Sequence, residues 1–276
     1  MTSVRKYRNI LSTLLILSCV DLAHSAGGTE QAANPDEKLK ALYSDILEDY
    51  VYDGWKRGKS AQFVDYGSLE SDSRWDELIT LLANYPENTL NNPDKRKAFY
   101  INAYNILSIN MVLEHWPLES LKDLGNVLQP VWTHNAGVVA GEEVTLRYLE
   151  HGVLRQTGDP RIHVAINCAS MSCPDLRREP YVAADLDAQL NDQVRRFLSQ
   201  ENKGAIISED GKTIHLSSIF GWFEEDFQSV GGVEAFVERH LPEVQNADDF
   251  IADIPYDWGI NAEFSGAELA QLRDDF

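Results

Sequence analysis

Two cysteines and a histidine near the middle of the chain are the residues best suited to chemistry. Cys168 and Cys173 lie five residues apart in the stretch RIHVAINCASMSCP, residues 161–174, and His163 precedes both. A cysteine acts as a nucleophile when a histidine removes its proton and a third group orients that histidine. The stretch therefore predicts thiol chemistry, with either cysteine as the candidate nucleophile.

The segment around His163 decides which histidine can serve. Residues 161–168 are apolar and β-branched between a turn and a loop of small residues, which predicts a buried strand. Strand side chains alternate between faces, so His163 would point away from Cys168. We therefore expect His151, on a predicted helix that leads into this strand, to pair with the thiol, and Glu150 to orient it. His163 joins the site only if the following loop folds back, and is otherwise a core histidine.

A long helix carries two asparagines that require partners. It is predicted from about residue 93 to 115, and residues 98–113 are apolar nearly all round, which indicates a buried central helix. Asn102 and Asn105 are three residues apart and share one side of it. Buried amides need hydrogen-bond partners. They either bond to the backbone of neighbouring loops or line the site, where they would orient a histidine or bind an oxyanion.

The rest of the pattern predicts the fold class. Helical periodicity or capping residues mark the ranges 36–50, 72–83, 146–155, 185–199 (with Asp185 as N-cap) and 231–240, besides the C-terminus. Residues 51–70 are predicted to be a loop, and residues 205–216 a hairpin around Asp210-Gly211. The sequence therefore predicts one helix-rich α+β domain, residues 36–276, with a small β-sheet.

The first residues have the pattern of an export signal. In residues 1–25, basic residues precede an apolar core and the small-x-small motif Ala23-His24-Ser25. That core is too short to span a bilayer, and lipid attachment at Cys19 is the alternative to cleavage. Residues 26–35 are small and polar, which predicts a flexible N-terminus. We expect a periplasmic or secreted protein without an integral membrane segment.

The charge of the chain excludes one class of partner. The formal net charge is −20 at pH 7. Nucleic acids and anionic membrane surfaces repel so acidic a protein. We therefore expect no nucleic-acid partner, and the substrate of a thiol enzyme would be a small molecule or a peptide.

A disulfide is the alternative to a free thiol. Exported proteins pass through oxidising compartments, in which two cysteines five residues apart can join. The protein would then be a binding or scaffold domain in which the Cys168–Cys173 bond pins a loop. The histidines and acidic residues lack the spacing of known zinc motifs, so neither a metal nor another cofactor is predicted.

Six segments, in order along the chain, carry a resemblance to a known family. They are AFYINAYN (98–105), LRYLEHGVLR (146–155), RIHVAINCASMSCPDLR (161–177), LDAQLNDQVRRFL (186–198), SIFGWFEEDF (218–227) and IPYDWGIN (254–261). With these motifs the chain resembles the family catalogued as domain of unknown function 547, found in bacteria and plants, over about residues 40–262. It departs from the family pattern at Ala169, where glycine is expected.

The resemblance implies more about the site than the residues do alone. The first cysteine is the steadier member of the family motif, which makes Cys168 the preferred nucleophile. A distant likeness to papain-like or transglutaminase-like folds is also implied. The expectation is a cysteine-dependent hydrolase or acyltransferase that acts on an amide bond, although those folds place cysteine before histidine, and His151 precedes Cys168.

Overall fold

The computed structural model describes residues 34–274, which contain eight α-helices, seven short strands and several 3₁₀- or π-helical segments. The helices are α1 (Pro35–Tyr50), α2 (Tyr66–Leu69), α3 (Ser73–Ala83), α4 (Pro93–Leu113), α5 (Leu186–Leu198), α6 (Ser218–Trp222), α7 (Gly232–His240) and α8 (Gly266–Asp274). The strands are β1 (Val51–Lys56), β2 (Lys59–Val64), β3 (Asn135–Val139), β4 (Glu142–Thr145), β5 (Ala205–Ile207), β6 (Thr213–Ser217) and β7 (Asp249–Ile254).

These strands form three small sheets. β1 and β2 make one antiparallel hairpin, and β3 and β4 make another. In the third sheet β6 is central, antiparallel to β5 and parallel to β7. The predicted helix-rich α+β fold is confirmed, with three small sheets where the sequence predicted one.

Helix α4 lies at the centre of the core, as its composition predicts. Every side chain from Ala98 to Ile109 is buried. The helix begins after Asn92, whose side-chain oxygen accepts a hydrogen bond from the N–H of Lys95 at 3.0 Å, and its first residue is Pro93. Both features are typical of helix starts. A helix buried on all sides can present residues to several neighbouring segments at once.

The N-terminal predictions fall largely outside the described residues. The export signal, the lipid-attachment candidate Cys19 and residues 26–33 all precede Asn34, the first described residue. Within residues 34–274, no helix combines the length and the apolar character that crossing a membrane requires.

The loop predicted over residues 51–70 is wrong. Strands β1 and β2 occupy most of it, joined by a two-residue turn in which both Arg57 (φ 53°) and Gly58 (φ 76°) have positive φ. Such turns normally begin with Asn, Asp or Gly. Because arginine is not typical of this position, the sequence does not predict the turn.

The strand predicted over residues 161–168 is also wrong. Pro160–Val164 forms a 3₁₀-helix instead, and the chain then continues without regular structure to the cysteines. Asp159 starts this helix, because its carboxylate accepts a hydrogen bond from the N–H of Arg161 at 3.1 Å, and Pro160 fits a first helical position. The face alternation expected of His163 and Cys168 therefore does not apply.

Candidate functional site

A pocket of about 310 Å³ brings together five of the predicted site residues. They are Glu150, His151, His163, Cys168 and Cys173. Aromatic side chains form much of the wall, namely Tyr104, Trp132, Trp222, Phe223, Tyr256 and Trp258. A mostly apolar pocket with a few converging polar groups is the usual form of a ligand site.

The two cysteines in this pocket are joined by a disulfide, with their Cα atoms 6.2 Å apart. Cys168 is partly exposed to the pocket, whereas Cys173 is 4% exposed. The Cys173 sulfur accepts hydrogen bonds from the N–H of Cys168 at 2.9 Å and from the hydroxyl of Tyr256 at 3.1 Å. Neither sulfur is a free thiolate in this form, as the disulfide alternative predicted.

The cysteine loop is held in place by a distant segment of the chain. The N–H of Met171 donates to Gly259 at 2.8 Å, and the N–H of Ser172 donates to Asp257 at 3.1 Å. The carbonyl of Ala169 accepts a hydrogen bond from the N–H of Asn261 at 3.1 Å. Backbone bonds to residues 257–261 thus fix the loop between the two sulfurs.

Ala169 has a left-handed backbone, with φ of 59°. This is the position at which the family pattern expects glycine. A left-handed conformation costs a residue with a Cβ atom about 1–2 kcal/mol. The departure from the family pattern therefore costs stability at the loop.

We expect Ala169→Gly to leave the free energy of unfolding within about 1 kcal/mol of the parent, because relief of the left-handed strain offsets the lost methyl burial and the added chain entropy. Ala165→Gly is the matched control. Ala165 is equally buried but has φ of −100°, so it gains no such relief. It should destabilise by about 1.5 kcal/mol. Urea unfolding measures both variants. If both lose the same free energy of unfolding, the proposed strain at Ala169 is contradicted.

His163 lies in the pocket wall with one ring nitrogen bound and one without a partner. Its Nε2 is 2.6 Å from a carboxylate oxygen of Asp226, and its ring stacks on Phe223 at 4.0 Å. The side chain is 1% exposed, and Nδ1 has no hydrogen-bond partner among the described residues. Burial lowers the pKa of His163 to about 4, although Asp226 opposes the shift. We therefore place the proton on Nε2, which leaves Nδ1 as a bare acceptor.

His151 is bound differently. Arg155 donates from Nη1 to its Nδ1 at 2.7 Å, and binds both carboxylate oxygens of Asp226 at 2.6 and 2.7 Å. Burial, followed by the charges of Arg155 and Arg147, lowers the pKa of His151. Because Nδ1 accepts from an arginine, the proton of His151 lies on Nε2.

Asp226 was not predicted as a site residue. It belongs to the acidic run Glu224-Glu225-Asp226, and such runs are usually solvated faces. It is also far along the chain from His163. The hydrogen bond from Arg155, with a further contribution from His163, lowers the pKa of Asp226. Its only sequence signal was its place in the motif SIFGWFEEDF.

Glu150 presents a carboxyl group to the same pocket. It lies in a π-helical segment, Tyr148–Leu154, within the helix predicted at 146–155. Such wide turns are rare and occur often at functional sites. Burial raises the pKa of Glu150 to about 7, and Arg155 opposes the shift. The carboxyl can therefore hold or release a proton near neutral pH.

Asn102 and Asn105 do not line this pocket, because both bond to buried backbone. Asn102 donates to the carbonyl of Tyr181 at 2.8 Å and accepts from its N–H at 2.9 Å. Asn105 donates to the carbonyl of Ala165 at 3.1 Å and accepts from the N–H of Asn167 at 2.8 Å. The two Asn105 bonds supply hydrogen-bond partners to the segment 161–168, which forms no strand.

The described residues contain no group of three or more histidine, cysteine, aspartate or glutamate side chains arranged to hold a metal ion. The two histidines of the pocket are connected to each other through Arg155 and Asp226. The arrangement offers acid–base groups beside two sulfur atoms.

Comparison with known proteins gives one match, to the central part of the chain. No curated protein and no solved structure matches it, so the papain-like or transglutaminase-like arrangement stays a prediction. Residues 88–198 match the family model described as "Protein of unknown function, DUF547". That range includes α4, Glu150 and the cysteine loop, whereas Asp226 and Tyr256 lie beyond it. The resemblance is therefore confirmed over residues 88–198, where the chain is similar to the DUF547 family.

Proposed function

We propose that this protein is a cysteine-dependent hydrolase or acyltransferase that acts on an amide bond, with Cys168 as nucleophile once the disulfide is reduced. One observation supports this above all. His163 lines the same pocket as Cys168, Asp226 holds one nitrogen of its ring, and the other nitrogen has no partner among the described residues. An imidazole oriented by a carboxylate, with a bare acceptor nitrogen, has the form of a catalytic base.

The geometry favours His163 over His151 as the base. His151 already accepts a hydrogen bond from Arg155 at Nδ1, and its other nitrogen carries the proton. In the proposed reaction Nδ1 of His163 takes the thiol proton, and the sulfur of Cys168 attacks the carbonyl carbon. The amine leaves with a proton, and water or another acceptor then cleaves the thioester.

Two further features suit this reaction. Glu150, with a pKa of about 7, can supply the proton that the departing amine needs. The aromatic wall favours an apolar group on the substrate, and Trp222 is half exposed at its edge. We therefore expect a small apolar amide or an aromatic peptide as substrate.

The test uses a variant that frees Cys168 without a reductant. Cys173→Ser is expected to hydrolyse members of a panel of apolar amides and thioesters, and Cys168→Ala to have no activity. His163→Asn, introduced into Cys173→Ser, should lower kcat/KM by about 100-fold or more. His215→Asn is the matched control, because His215 pairs with Asp253 at the surface at 2.9 Å, outside the pocket. Hydrolysis that survives Cys168→Ala would overturn the proposal.

The disulfide itself favours a second candidate, an exported binding or scaffold domain. In that case Cys168→Ala and Cys173→Ala would each destabilise by about 2–3 kcal/mol through lost loop closure. The backbone bonds from residues 257–261 already fix this loop, which makes a purely structural bridge less necessary. Activity that depends on Cys168 but not on Cys173 separates the two candidates.

Export is part of the proposal and rests on residues 1–25. Their basic start and apolar core suit a secretory signal, and an oxidising compartment would preserve the disulfide. Fractionation of cells that express the full chain tests this. Recovery of the protein outside the cytoplasm, with Ala26 as its first residue, is expected, and a lipid on Cys19 would indicate the alternative processing.

A further inference from the structure

The Cys168–Cys173 disulfide has three features that a structural bridge does not require. One of its sulfurs is open to a pocket, the other accepts two hydrogen bonds, and the loop between them is fixed by other bonds. Together these features describe a disulfide that can open and close while the protein stays folded.

We propose that this disulfide exchanges with a low-molecular-weight thiol that enters the pocket. The incoming thiolate attacks Sγ of Cys168, the S–S bond breaks, and Sγ of Cys173 leaves as a thiolate. A mixed disulfide then exists at Cys168. A second thiolate attacks the sulfur of the bound thiol and releases an oxidised small disulfide. The two thiols are oxidised, and both cysteines are reduced.

Exposure selects Cys168 as the sulfur that is attacked. Its side chain is partly exposed in the pocket, whereas Cys173 is 4% exposed. Thiol–disulfide exchange depends on which sulfur an attacking thiolate can reach. The pocket volume of about 310 Å³ suits a small thiol.

The shorter hydrogen bonds favour Cys173 as the leaving sulfur, since Sγ of Cys168 lies 3.3 Å from the Ser170 hydroxyl and 3.5 Å from the Tyr256 hydroxyl. The N–H of Cys168 and the hydroxyl of Tyr256 both donate to it, and the Tyr256 hydroxyl accepts in turn from Ser170 at 3.0 Å. Donors that point at a sulfur stabilise its thiolate, and a more stable thiolate leaves faster. Glu150, in the same pocket, can then protonate the thiolate.

The loop keeps its shape without the S–S bond. Residues 169–172 bond to the backbone of residues 257–261, and the side chain of Asn167 accepts from the N–H of Ala169 at 2.8 Å. After reduction the two sulfurs therefore stay close enough to rejoin. Reduction also frees Cys168 for the proposed hydrolysis, but the exchange itself needs no amide substrate.

The test follows reduction of the folded, full-length protein by dithiothreitol, trapped by alkylation and read by mass spectrometry. We expect a rate that rises in proportion to the dithiothreitol concentration and exceeds the rate of global unfolding. Tyr256→Phe should slow it by about tenfold, since one donor to the leaving sulfur is lost. Tyr50→Phe is the matched control, because the Tyr50 hydroxyl donates to Asp72 at 2.7 Å, outside the pocket.

A second measurement compares how readily each sulfur exchanges with a small disulfide in the pocket. With oxidised glutathione, Cys168 in the Cys173→Ser variant should form a mixed disulfide about tenfold faster than Cys173 in Cys168→Ser. Ser170→Ala replaces Tyr256→Phe if the latter does not fold. Reduction at the rate of unfolding, independent of dithiothreitol, would overturn the exchange proposal, as would equal reactivity of the two sulfurs. Failure to hydrolyse amides would leave these results unchanged.

Discussion

Replacing Asn105 with alanine is expected to lower the free energy of unfolding by about 4 kcal/mol, because two buried backbone groups lose their partners at about 1–3 kcal/mol each. Asn105 is 3% exposed, and its amide is bonded to the carbonyl of Ala165 and the N–H of Asn167. Within residues 34–274 no neighbouring strand is available to replace those bonds. For a domain of this size the melting temperature should fall by about 10 °C.

Asn110→Ala is the matched control for this prediction, since Asn110 lies on the same helix and gains the same helix propensity. Its amide bonds to the side chains of Trp75 at 3.0 Å and Glu114 at 2.8 Å and is only partly buried. We expect a loss of about 1 kcal/mol. Thermal unfolding by circular dichroism compares the two variants. An Asn105→Ala protein as stable as the parent but inactive would instead support the oxyanion role that the sequence left open.

The second large effect is expected at Glu150, where Glu150→Gln should stabilise the protein above pH 7 by about 3 kcal/mol. The pKa of this carboxyl is raised to about 7 in the folded protein from 4.5. Between those values the folded protein keeps a proton that the unfolded chain has lost. Stability therefore falls as the pH rises through this window. Glutamine resembles the protonated acid, so the gain should vanish below about pH 4.5.

The groups that face Glu150 support this direction. Asp226 raises its pKa, whereas Arg155 and Arg147 lower it, and Tyr104 and Tyr256 are close enough for its charge to raise their own pKa. Burial raises the pKa of Glu150 by more than the two arginines lower it.

Glu268→Gln provides the control of opposite sign. The hydrogen bond from Lys56 lowers the pKa of Glu268 to about 2. This replacement should therefore destabilise the protein above pH 4.5. The loss should be at most about 1 kcal/mol, because the pair is partly exposed. Urea unfolding at pH 4.5, 6 and 8 distinguishes the two variants. A Glu150→Gln difference that does not change with pH would contradict the raised pKa.

Local signals explain how much of the fold was predictable. Helices α1, α3 and α5 follow apolar periodicity, whereas α4 is marked by its continuous apolar run, its N-cap and its proline. The segment after Asp159 was predicted to be a strand because its apolar, β-branched residues are typical of buried strands. They are buried, but a side chain of α4, and not a neighbouring strand, bonds to their backbone. Hydrogen bonds of this kind come from residues that are distant in sequence, so no local sequence pattern predicts them.

The site was predictable where chemistry alone points to a residue. Cys168, Cys173, His163 and Glu150 were candidates because of their types, and the pocket does bring them together. Asp226 was missed because exposed acidic clusters are common and nothing in the spacing connects it with His163. The choice of His151 as base depended on a strand that does not form.

The dependence of the cysteine loop on residues 257–261 has a consequence for biogenesis. Those residues leave the ribosome long after the cysteines, so the loop lacks its backbone partners throughout most of synthesis. Contacts between segments far apart in the chain are also slow to form during folding. The pocket should therefore be completed last, and an oxidant that acts before then meets two cysteines that are not yet held together. A chain that ends before residue 257 would lack α8 and a finished pocket, and its cysteines would be open to pairing with other proteins.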